Sequence, residues 1–350
     1  MITTASMITT SRSTTSGGRG SPRRRRVLSA AALAAAAAMA LSGCGLSPSA
    51  SYVPQFEQGS IEPVEGAEEI PVTVVSKNFT EQLILGKILV LAAEAAGYQV
   101  TDQTNVPGSQ PVRRMMEEGE GDLTIEYTGT AWITYLGHEE GIPDPQEQWQ
   151  AVADEDKANG LIWGPPAEFN NTYALAVRSE YAQEHGLKTI SDLRSLPVED
   201  RTLCVEAEFN SRSDGLNPLL EHYGLDRGGE QMPEDNIGLY DTGAIYAATD
   251  NGDCNVGEVF ATDGRILSLD LTVLEDDRKY FPAYNGSAVY NEPKLEQAPE
   301  LAEVMDRIMP ELDNETLQEL NAQVDVEGRE PIDVAYDWMV SEGFISEPAG

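Results

Sequence analysis

Apolar and polar residues follow one another along the first part of the chain in a strand–helix–strand order. The segment 72–76, VTVVS, has the pattern of a strand, and apolar residues then recur at helical spacing over 84–95. Asn78, with Glu81 three residues later, resembles a capping box at the start of that helix. A βαβαβ pattern follows and predicts an α/β sheet with helices on its faces. Its remaining parts are strand 98–106, helix 111–119 and strand 122–127.

The same alternation returns after residue 171 and predicts a second α/β lobe. Helices 213–224 and 243–252 separate some of its strands, and the tail from about residue 292 has helical periodicity. The predicted strands of this part are 172–178, 201–206, 236–240, 254–260 and 271–275.

The two lobes share a local pattern. Tyr127 closes the strand that follows Asp122, and Phe260 closes the strand that follows Asp253. Each lobe thus offers one aromatic residue at the carboxyl end of a strand, which is where ligands of open α/β sheets bind.

The first 43 residues predict an export signal rather than part of the fold. They contain six arginines and no acidic residue, followed by the apolar run 27–41 and by LSGC at 41–44. Fifteen apolar residues are too few to span a bilayer comfortably. The LSGC stretch resembles a bacterial lipobox, which predicts that Cys44 is lipidated and anchors the protein on the extracytoplasmic face of the cell membrane. Residues 44–70 mix Pro, Ser, Gly and Glu without periodicity and are expected to form a flexible tether.

The charge of the chain excludes nucleic acid as a partner, and its cysteines predict a disulfide. The chain has 59 acidic and 23 basic residues, a net charge of −36; without residues 1–43 and their six arginines it has 17 basic residues and a net charge of −42, and so lacks the basic clusters that nucleic acid requires. Cys204 and Cys254 each lie in a predicted strand, and export permits oxidation, so we expect a disulfide; two buried free thiols are the alternative.

Catalytic and metal motifs are missing from the sequence. The three histidines have polar surroundings, and no HExxH, paired CxxC or GxSxG motif occurs, so we expect neither an enzyme nor a metal or cofactor site. Aromatic and basic residues near strand ends remain. They include Lys77, which precedes a helix, where an anion can also use free backbone N–H groups.

Five segments together resemble the substrate-binding proteins of osmoprotectant ABC importers, the glycine betaine, carnitine and choline family. They occur in the family's order, over nearly all of the chain after Val72. The segments are VSKNFTEQLILGKIL, DLTIEYTGTAW, EFNSRSDGL, GEVFATDGRI and LEDDRKYFPAYN.

The resemblance implies a type II periplasmic-binding-protein-like clamp with two interlobe crossings. On this sequence the crossings fall near 171–174 and 284–288. Lobe I would then comprise 71–172 plus 286–350, and lobe II would comprise 173–285.

The resemblance also implies a site in which aromatic rings enclose a quaternary ammonium while basic and hydroxyl groups hold a carboxylate. Phe260 stands where some members have a tyrosine, and Ala283 stands where proline is common. Asn78 and Asn171 are further ligand-binding candidates. The matching residues are Lys77, Tyr127, Thr130, Tyr173, Arg212, Phe260 and Tyr284.

These features predict an extracytoplasmic, monomeric substrate-binding protein that delivers a glycine betaine-like solute to an ABC permease and its ATPase. Ring faces attract a trimethylammonium group, which has no N–H to donate. Lys77, Arg212 and Thr130 would add bonds to a carboxylate, which favours a betaine over choline. The alternatives are ergothioneine or another trimethylated betaine in the same clamp, a cell-surface lipoprotein enzyme, and a purely structural envelope lipoprotein.

Overall fold

The computed structural model describes residues 52–142 and 144–349. Val53–Gly350 forms one unit, treated below by itself. The predicted signal peptide, 1–43, and the predicted lipidation site, Cys44, lie outside the described residues. No helix in the described ranges is long and apolar enough to cross a membrane.

Twelve strands occur among the described residues. They are β1 Glu57–Gln58, β2 Pro71–Lys77, β3 Gln99–Val106, β4 Leu123–Tyr127, β5 Leu161–Asn170, β6 Tyr173–Arg178, β7 Leu203–Val205, β8 Ile237–Leu239, β9 Val256–Phe260, β10 Leu271–Val273, β11 Asn285–Asn291 and β12 Ile345–Ser346.

Helices connect the strands and form the C-terminal part. A helical turn, Thr128–Thr130, continues into a π-helix, Ala131–Tyr135. Short 3-10 segments lie at Ala67–Glu69, Lys157–Asn159, Ile190–Ser195, Val198–Asp200, Glu234–Asn236 and Met309–Glu311. The α-helices are α1 Thr80–Ala95, α2 Ser109–Glu118, α3 Pro145–Asp156, α4 Ser179–His185, α5 Ala207–Ser211, α6 Leu216–His222, α7 Thr242–Asn251, α8 Arg265–Ser268, α9 Glu292–Gln297, α10 Glu300–Ile308, α11 Asn314–Asp325 and α12 Pro331–Ser341.

Ten of these strands form two five-stranded sheets, one in each lobe, and β1 and β12 form a separate two-stranded sheet. The first has the order β3-β2-β4-β11-β5 and the second the order β10-β6-β9-β7-β8. In each sheet three strands run parallel, β3-β2-β4 in the first and β9-β7-β8 in the second, and the remaining pairings are antiparallel. The parallel strands place their carboxyl ends at one edge of their sheet, which is where the site described below lies.

The chain passes between the sheets twice. The first passage is short, because β5 ends at Asn170 in the first sheet and β6 begins at Tyr173 in the second. The second passage begins after Val273 and ends at Asn285, where β11 joins the first sheet. It therefore lies earlier than the predicted range 284–288, most of which is inside β11.

Two strands of the first sheet were not predicted from the sequence. Pro165 and Pro166 interrupt the alternation of β5, and they are tolerated because β5 lies at the sheet edge, where a missing N–H costs no ladder bond. Strand β11 is buried between β4 and β5, so nearly all its residues are buried and no alternation is visible.

The tether prediction for 44–70 is wrong for its second half. Strand β1 pairs with β12 near the C-terminus, and the Ser60 amide donates to the Gly343 carbonyl at 2.8 Å. Ile61 and Ala67 are buried against the first lobe. Isolated apolar residues make these contacts, so they give no periodic signal in the sequence.

Helix α1 begins at Thr80, one residue later than a capping box at Asn78 would place it. The helix packs its apolar face against the first sheet, and its N-cap is Phe79, with no side-chain capping bond. Asn78 accepts instead from the Gly108 amide at 3.2 Å, and Glu81, in the first turn of α1, is buried and accepts from Tyr127 and Thr262 rather than from the Asn78 amide. The predicted capping box is therefore absent. In the second lobe, a disulfide joins Cys204 of β7 to Cys254, two residues before β9.

Candidate functional site

A cavity lies between the two sheets. Its walls come from both lobes and from the crossings, and they include every ligand-binding residue proposed from the sequence. These residues are Lys77, Tyr127 and Thr130 of lobe I, Arg212 and Phe260 of lobe II, Tyr173 and Tyr284 next to the crossings, and the further candidates Asn78 and Asn171.

Strand ends bring the aromatic rings of this wall together. Tyr127 ends β4 and Phe260 ends β9, while Tyr173 begins β6. The ring centroid of Tyr173 lies 5.3 Å from that of Phe260 and 5.8 Å from that of Tyr284, the latter in an edge-to-face arrangement. The four rings are at most 9% exposed, so little water reaches them.

Phe79 is a fifth ring of the wall, and it was missed in the sequence. Its centroid lies 5.1 Å from that of Phe260 and 6.2 Å from that of Tyr127, so it links rings of the two lobes. It follows β2 directly, at the carboxyl end of a parallel strand. That position, two residues after Lys77, was the signal that would have found it.

Each of the two predicted basic residues already has a carboxylate partner. Lys77 Nζ lies 2.6 Å from Glu126 Oε1, with both side chains buried. Arg212 donates from Nε and Nη2 to Asp214 at 2.7 and 2.6 Å, a bidentate pair. Burial lowers the pKa of Arg212, but the neighbouring Tyr173 and Asp214 outweigh it and raise that pKa above its usual value.

Hydrogen bonds tie these pairs to the rings and to the predicted hydroxyl group. Tyr284 Oη donates to Asp214 at 2.8 Å, and Arg212 Nη2 donates to Thr130 Oγ1 at 3.5 Å. The Lys77 ammonium lies 4.9 Å from the centre of the Tyr127 ring. The cations are therefore held in place and their charges are matched.

Two more carboxylates, Glu206 and Glu208, border the cavity and were not predicted. Burial raises the pKa of Glu206, and the negative charge of Glu208 raises it further. For Glu208, burial acts to raise the pKa, but the Lys77 charge and hydrogen bonds from Ser109 hold it below the usual value. Glu206 and Glu208 thus add two carboxylates to a site whose two cations are already paired with Glu126 and Asp214.

Glu81 connects the first lobe with the second behind the rings. Its Oε1 accepts from Tyr127 Oη at 2.7 Å and from Asn171 Nδ2 at 2.9 Å. Its Oε2 accepts from Thr262 Oγ1 at 2.5 Å and from Asn321 Nδ2 at 3.4 Å. Burial raises the pKa of this carboxyl against the lowering effect of those hydrogen bonds. Because Thr262 belongs to lobe II, Glu81 is part of the contact between the lobes.

Other contacts also close the lobes around the cavity. The Ser109 amide of lobe I donates to Glu208 Oε2 of lobe II at 3.2 Å, and the Ser109 hydroxyl bonds to Oε1. Gln318 of α11 donates to the Ala261 carbonyl at 3.1 Å. The described structure is therefore the closed arrangement of the two lobes.

The three histidine side chains lie away from the cavity. Each contacts a residue elsewhere: Glu155 for His138, Tyr181 for His185, and Arg278 for His222. No group of three or more metal-ligating side chains occurs among residues 52–142 and 144–349. What the wall offers is ring faces, paired charges and hydrogen-bond acceptors.

Comparison with known proteins gives consistent results. The family described as "Substrate binding domain of ABC-type glycine betaine transport system" matches residues 70–341. A "Glycine-betaine-binding protein" of Pseudomonas aeruginosa is 37% identical over 281 residues, which are 78% of this chain and 88% of that protein. A Helicobacter pylori protein, "Ergothioneine transport permease/ergothioneine binding protein EgtU", is 31% identical over 79% of this chain and 48% of its own length.

A solved structure supports the same relationship. The protein described as "Crystal structure of glycine betaine/carnitine/choline ABC transporter" superposes with a TM-score of 0.63 at 28% identity, over 79% of this chain and 99% of that one. The two-lobed type II periplasmic-binding fold expected from the sequence is thereby confirmed, and the similar proteins are binding proteins, not enzymes. The chain belongs to the family of substrate-binding domains of ABC-type glycine betaine transport systems.

Proposed function

We propose that the interlobe cavity captures a quaternary ammonium betaine of the glycine betaine type inside an aromatic cage. The observation that carries this proposal is the convergence of five rings from both lobes on one cavity: Phe79, Tyr127, Tyr173, Phe260 and Tyr284. The name of the Pseudomonas aeruginosa relative supports the same ligand class.

The chemistry of the ligand head explains the choice of rings. A trimethylammonium group has no N–H, so hydrogen bonds do not select it, whereas the negative faces of aromatic rings attract it. Each ring contributes roughly 0.5 to 2 kcal/mol when water is excluded. A micromolar ligand needs about 8 kcal/mol net, so the rings supply only part of the binding free energy.

A carboxylate on the ligand would find donors that the internal ion pairs leave free. A lysine ammonium has three donors, and Glu126 takes one from Lys77. Thr130 Oγ1 stands beside Arg212 and adds a hydroxyl at the same wall. Since Glu126 and Asp214 already match the cations, we expect the carboxylate to contribute less than two unpaired cations would provide.

The two-lobed form supports delivery of the ligand to a membrane permease. We propose that ligand contacts with both lobes stabilise the closed arrangement, and that an ABC permease with its ATPase recognises that arrangement. The interlobe contacts of Ser109, Glu81 and Phe79 support this, because they form only when the lobes meet.

Anchoring at Cys44 and a monomeric state complete the proposal. LSGC at 41–44 precedes a polar segment that leads to Val53, where the folded unit begins. In a bacterium grown with a tagged fatty acid, the parent chain should be labelled and a Cys44→Ala variant should not, and size-exclusion chromatography of a chain that begins at residue 45 should give one chain. Equal labelling of the parent chain and of Cys44→Ala contradicts the anchor.

Calorimetry with matched ligands tests the main proposal. We expect glycine betaine to bind and dimethylglycine to bind at least tenfold more weakly, because dimethylglycine has one methyl group fewer against the ring faces and an N–H whose hydration those faces do not replace. The same measurement with proline betaine, carnitine, choline and ergothioneine ranks these ligands by affinity. Failure of every quaternary ammonium compound to bind overturns the proposed function.

A further inference from the structure

Glu206 is a carboxylate of the cavity wall whose position is fixed while one of its oxygens stays unused. It follows β7 directly, at the carboxyl end of a parallel strand, and its amide donates to Glu258 Oε2 at 2.8 Å. The Thr242 hydroxyl donates to Glu206 Oε2 at 2.6 Å, and both residues line the cavity. Oε1 of Glu206 has no hydrogen-bond partner among the residues that the structure describes.

Acidic groups outnumber basic groups on this side of the cavity. Among the described residues, the cations of the wall are Lys77 and Arg212, and each is matched by a carboxylate oxygen 2.6 Å away. Arg212 Nη1 also lies 3.3 Å from Glu208 Oε1, and Glu206 is a further carboxylate of the same wall. A carboxylate on the ligand would add one more negative charge here, where burial makes repulsion between like charges costly.

The groups around Glu206 favour its protonated form. Burial raises the pKa of this carboxyl, and the charge of Glu208 adds to the rise, against the lowering effects of the Thr242 hydroxyl and of the two cations of the wall. The charge of Glu206 also reaches Tyr173 and Glu258, and burial raises the pKa of both groups well above its usual value. A ligand carboxylate close to Glu206 would raise the pKa of Glu206 further.

We propose that Glu206 binds the carboxylate of the ligand as a neutral carboxylic acid that donates from Oε1, so that each betaine enters the site together with one proton. The proton comes from the solvent and returns to it on release, and no covalent bond of the ligand changes. An O–H···O⁻ hydrogen bond is charge-assisted and therefore strong. This inference deepens the proposed function and rests on it, since the trimethylammonium group must occupy the ring-lined cavity.

Glycine betaine and choline test this role on the native chain, because they share the trimethylammonium head and only the first has a carboxylate. Bound glycine betaine holds the proton on Glu206, so its affinity is highest at low pH and falls as the pH rises through the pKa of the ligand-free carboxyl. Between about pH 5 and about pH 9, calorimetry should show its affinity falling about tenfold, the effect of a one-unit rise in pKa on binding. Choline affinity should stay constant or rise, because an ionised Glu206 attracts a cation. A glycine betaine affinity that falls no more than that of choline overturns the inference.

The number of protons taken up is measured by repeating the titrations in buffers that differ in ionisation enthalpy. In the pH range where glycine betaine affinity falls, its heat of binding should change with the buffer in the direction of proton uptake. Choline should show no uptake. Absence of uptake with glycine betaine over the whole pH range contradicts the proposal, whether or not choline binds.

Glu206→Gln separates the titration of this side chain from its shape. The amide keeps an oxygen for the Thr242 hydroxyl and offers an N–H to the ligand, but it does not ionise. We expect this variant to show no proton uptake and to bind glycine betaine more tightly than the parent chain at about pH 9. Glu258→Gln is the matched control, because Glu258 contacts Glu206 but does not line the cavity, and it should keep the pH dependence of the parent chain. Proton uptake that persists in Glu206→Gln contradicts the assignment.

The same titrations distinguish failure of this inference from failure of the proposed function. Binding of glycine betaine without proton uptake rejects the role of Glu206 alone. If no quaternary ammonium compound binds at any pH, the proposed function and this inference both fail. If Glu206→Gln does not fold, the pH dependence and the proton uptake of the native chain still decide.

Discussion

Phe79 of lobe I stacks on Phe260 of lobe II, with ring centroids 5.1 Å apart and ring planes inclined by 27°. Each ring stands at the carboxyl end of a strand, Phe79 after β2 and Phe260 at the end of β9. The contact between these two rings exists only while the lobes are close. Closure of the lobes therefore completes this part of the cavity wall.

Replacing the ring of Phe79 should weaken ligand binding. Phe79→Leu keeps apolar volume but removes a ring face, so we expect a loss of about 1 to 2 kcal/mol, or roughly fivefold to thirtyfold in the dissociation constant of glycine betaine. Calorimetry measures this directly. Phe281→Leu is the matched control, because Phe281 also packs near Tyr173, at 6.4 Å, but lies outside the cavity wall. Equal losses in both variants would show that Phe79 acts only through packing.

The bidentate pair between Arg212 and Asp214 predicts a difference between ligands. Removing Arg212 alone would leave Asp214 buried and unpaired, which is strongly destabilising. The double variant Arg212→Met/Asp214→Asn removes both charges and keeps an acceptor for Tyr284 Oη. We expect glycine betaine, which carries a carboxylate, to lose at least tenfold in affinity and choline to lose less. Equal losses for the two ligands, measured by calorimetry, would remove Arg212 from carboxylate binding.

The sequence predicted the positions of the ring and basic residues better than it predicted their partners. Tyr127 and Phe260 could be found because a strand end is a local feature. The pairing of Lys77 with Glu126 joins residues 49 apart in the sequence, and no local pattern indicates it. Glu81 shows the same limit, since its helix-start context favoured a capping box whereas burial against the second lobe decides its role. Strand β11 was missed for a related reason, because burial between two strands removes the alternation that marks a strand.

The raised pKa of Glu258 predicts that the free energy of unfolding falls as the pH rises. Burial and the nearby charge of Glu206 raise the pKa of Glu258 well above its usual value. In the unfolded chain this carboxyl ionises at its ordinary pKa, whereas in the folded chain it keeps its proton. Above that ordinary pKa the unfolded state therefore binds fewer protons, and raising the pH favours unfolding. Glu258→Gln removes this penalty, and its side-chain oxygen can still accept from the Glu206 amide. We expect its Tm to exceed that of the parent chain by a few degrees at pH 8 and to match it near pH 4. A difference independent of pH would contradict this account.

Glu81 should control the equilibrium between open and closed lobes. Its two oxygens accept from four donors, of which Tyr127 borders the cavity and Thr262 belongs to lobe II. Glu81→Gln replaces one acceptor oxygen by an NH₂ group that must face donors, so contacts on that side are lost. We expect glycine betaine affinity to fall about tenfold and the ligand-free chain to expand, as measured by the radius of gyration in small-angle scattering. Gln82→Met is the control, because Gln82 also donates to Tyr127 Oη, at 3.1 Å, but makes its contacts within lobe I. That variant should weaken binding without expanding the chain, whereas equal expansion in both would show that Glu81 stabilises lobe I alone and does not hold the lobes together.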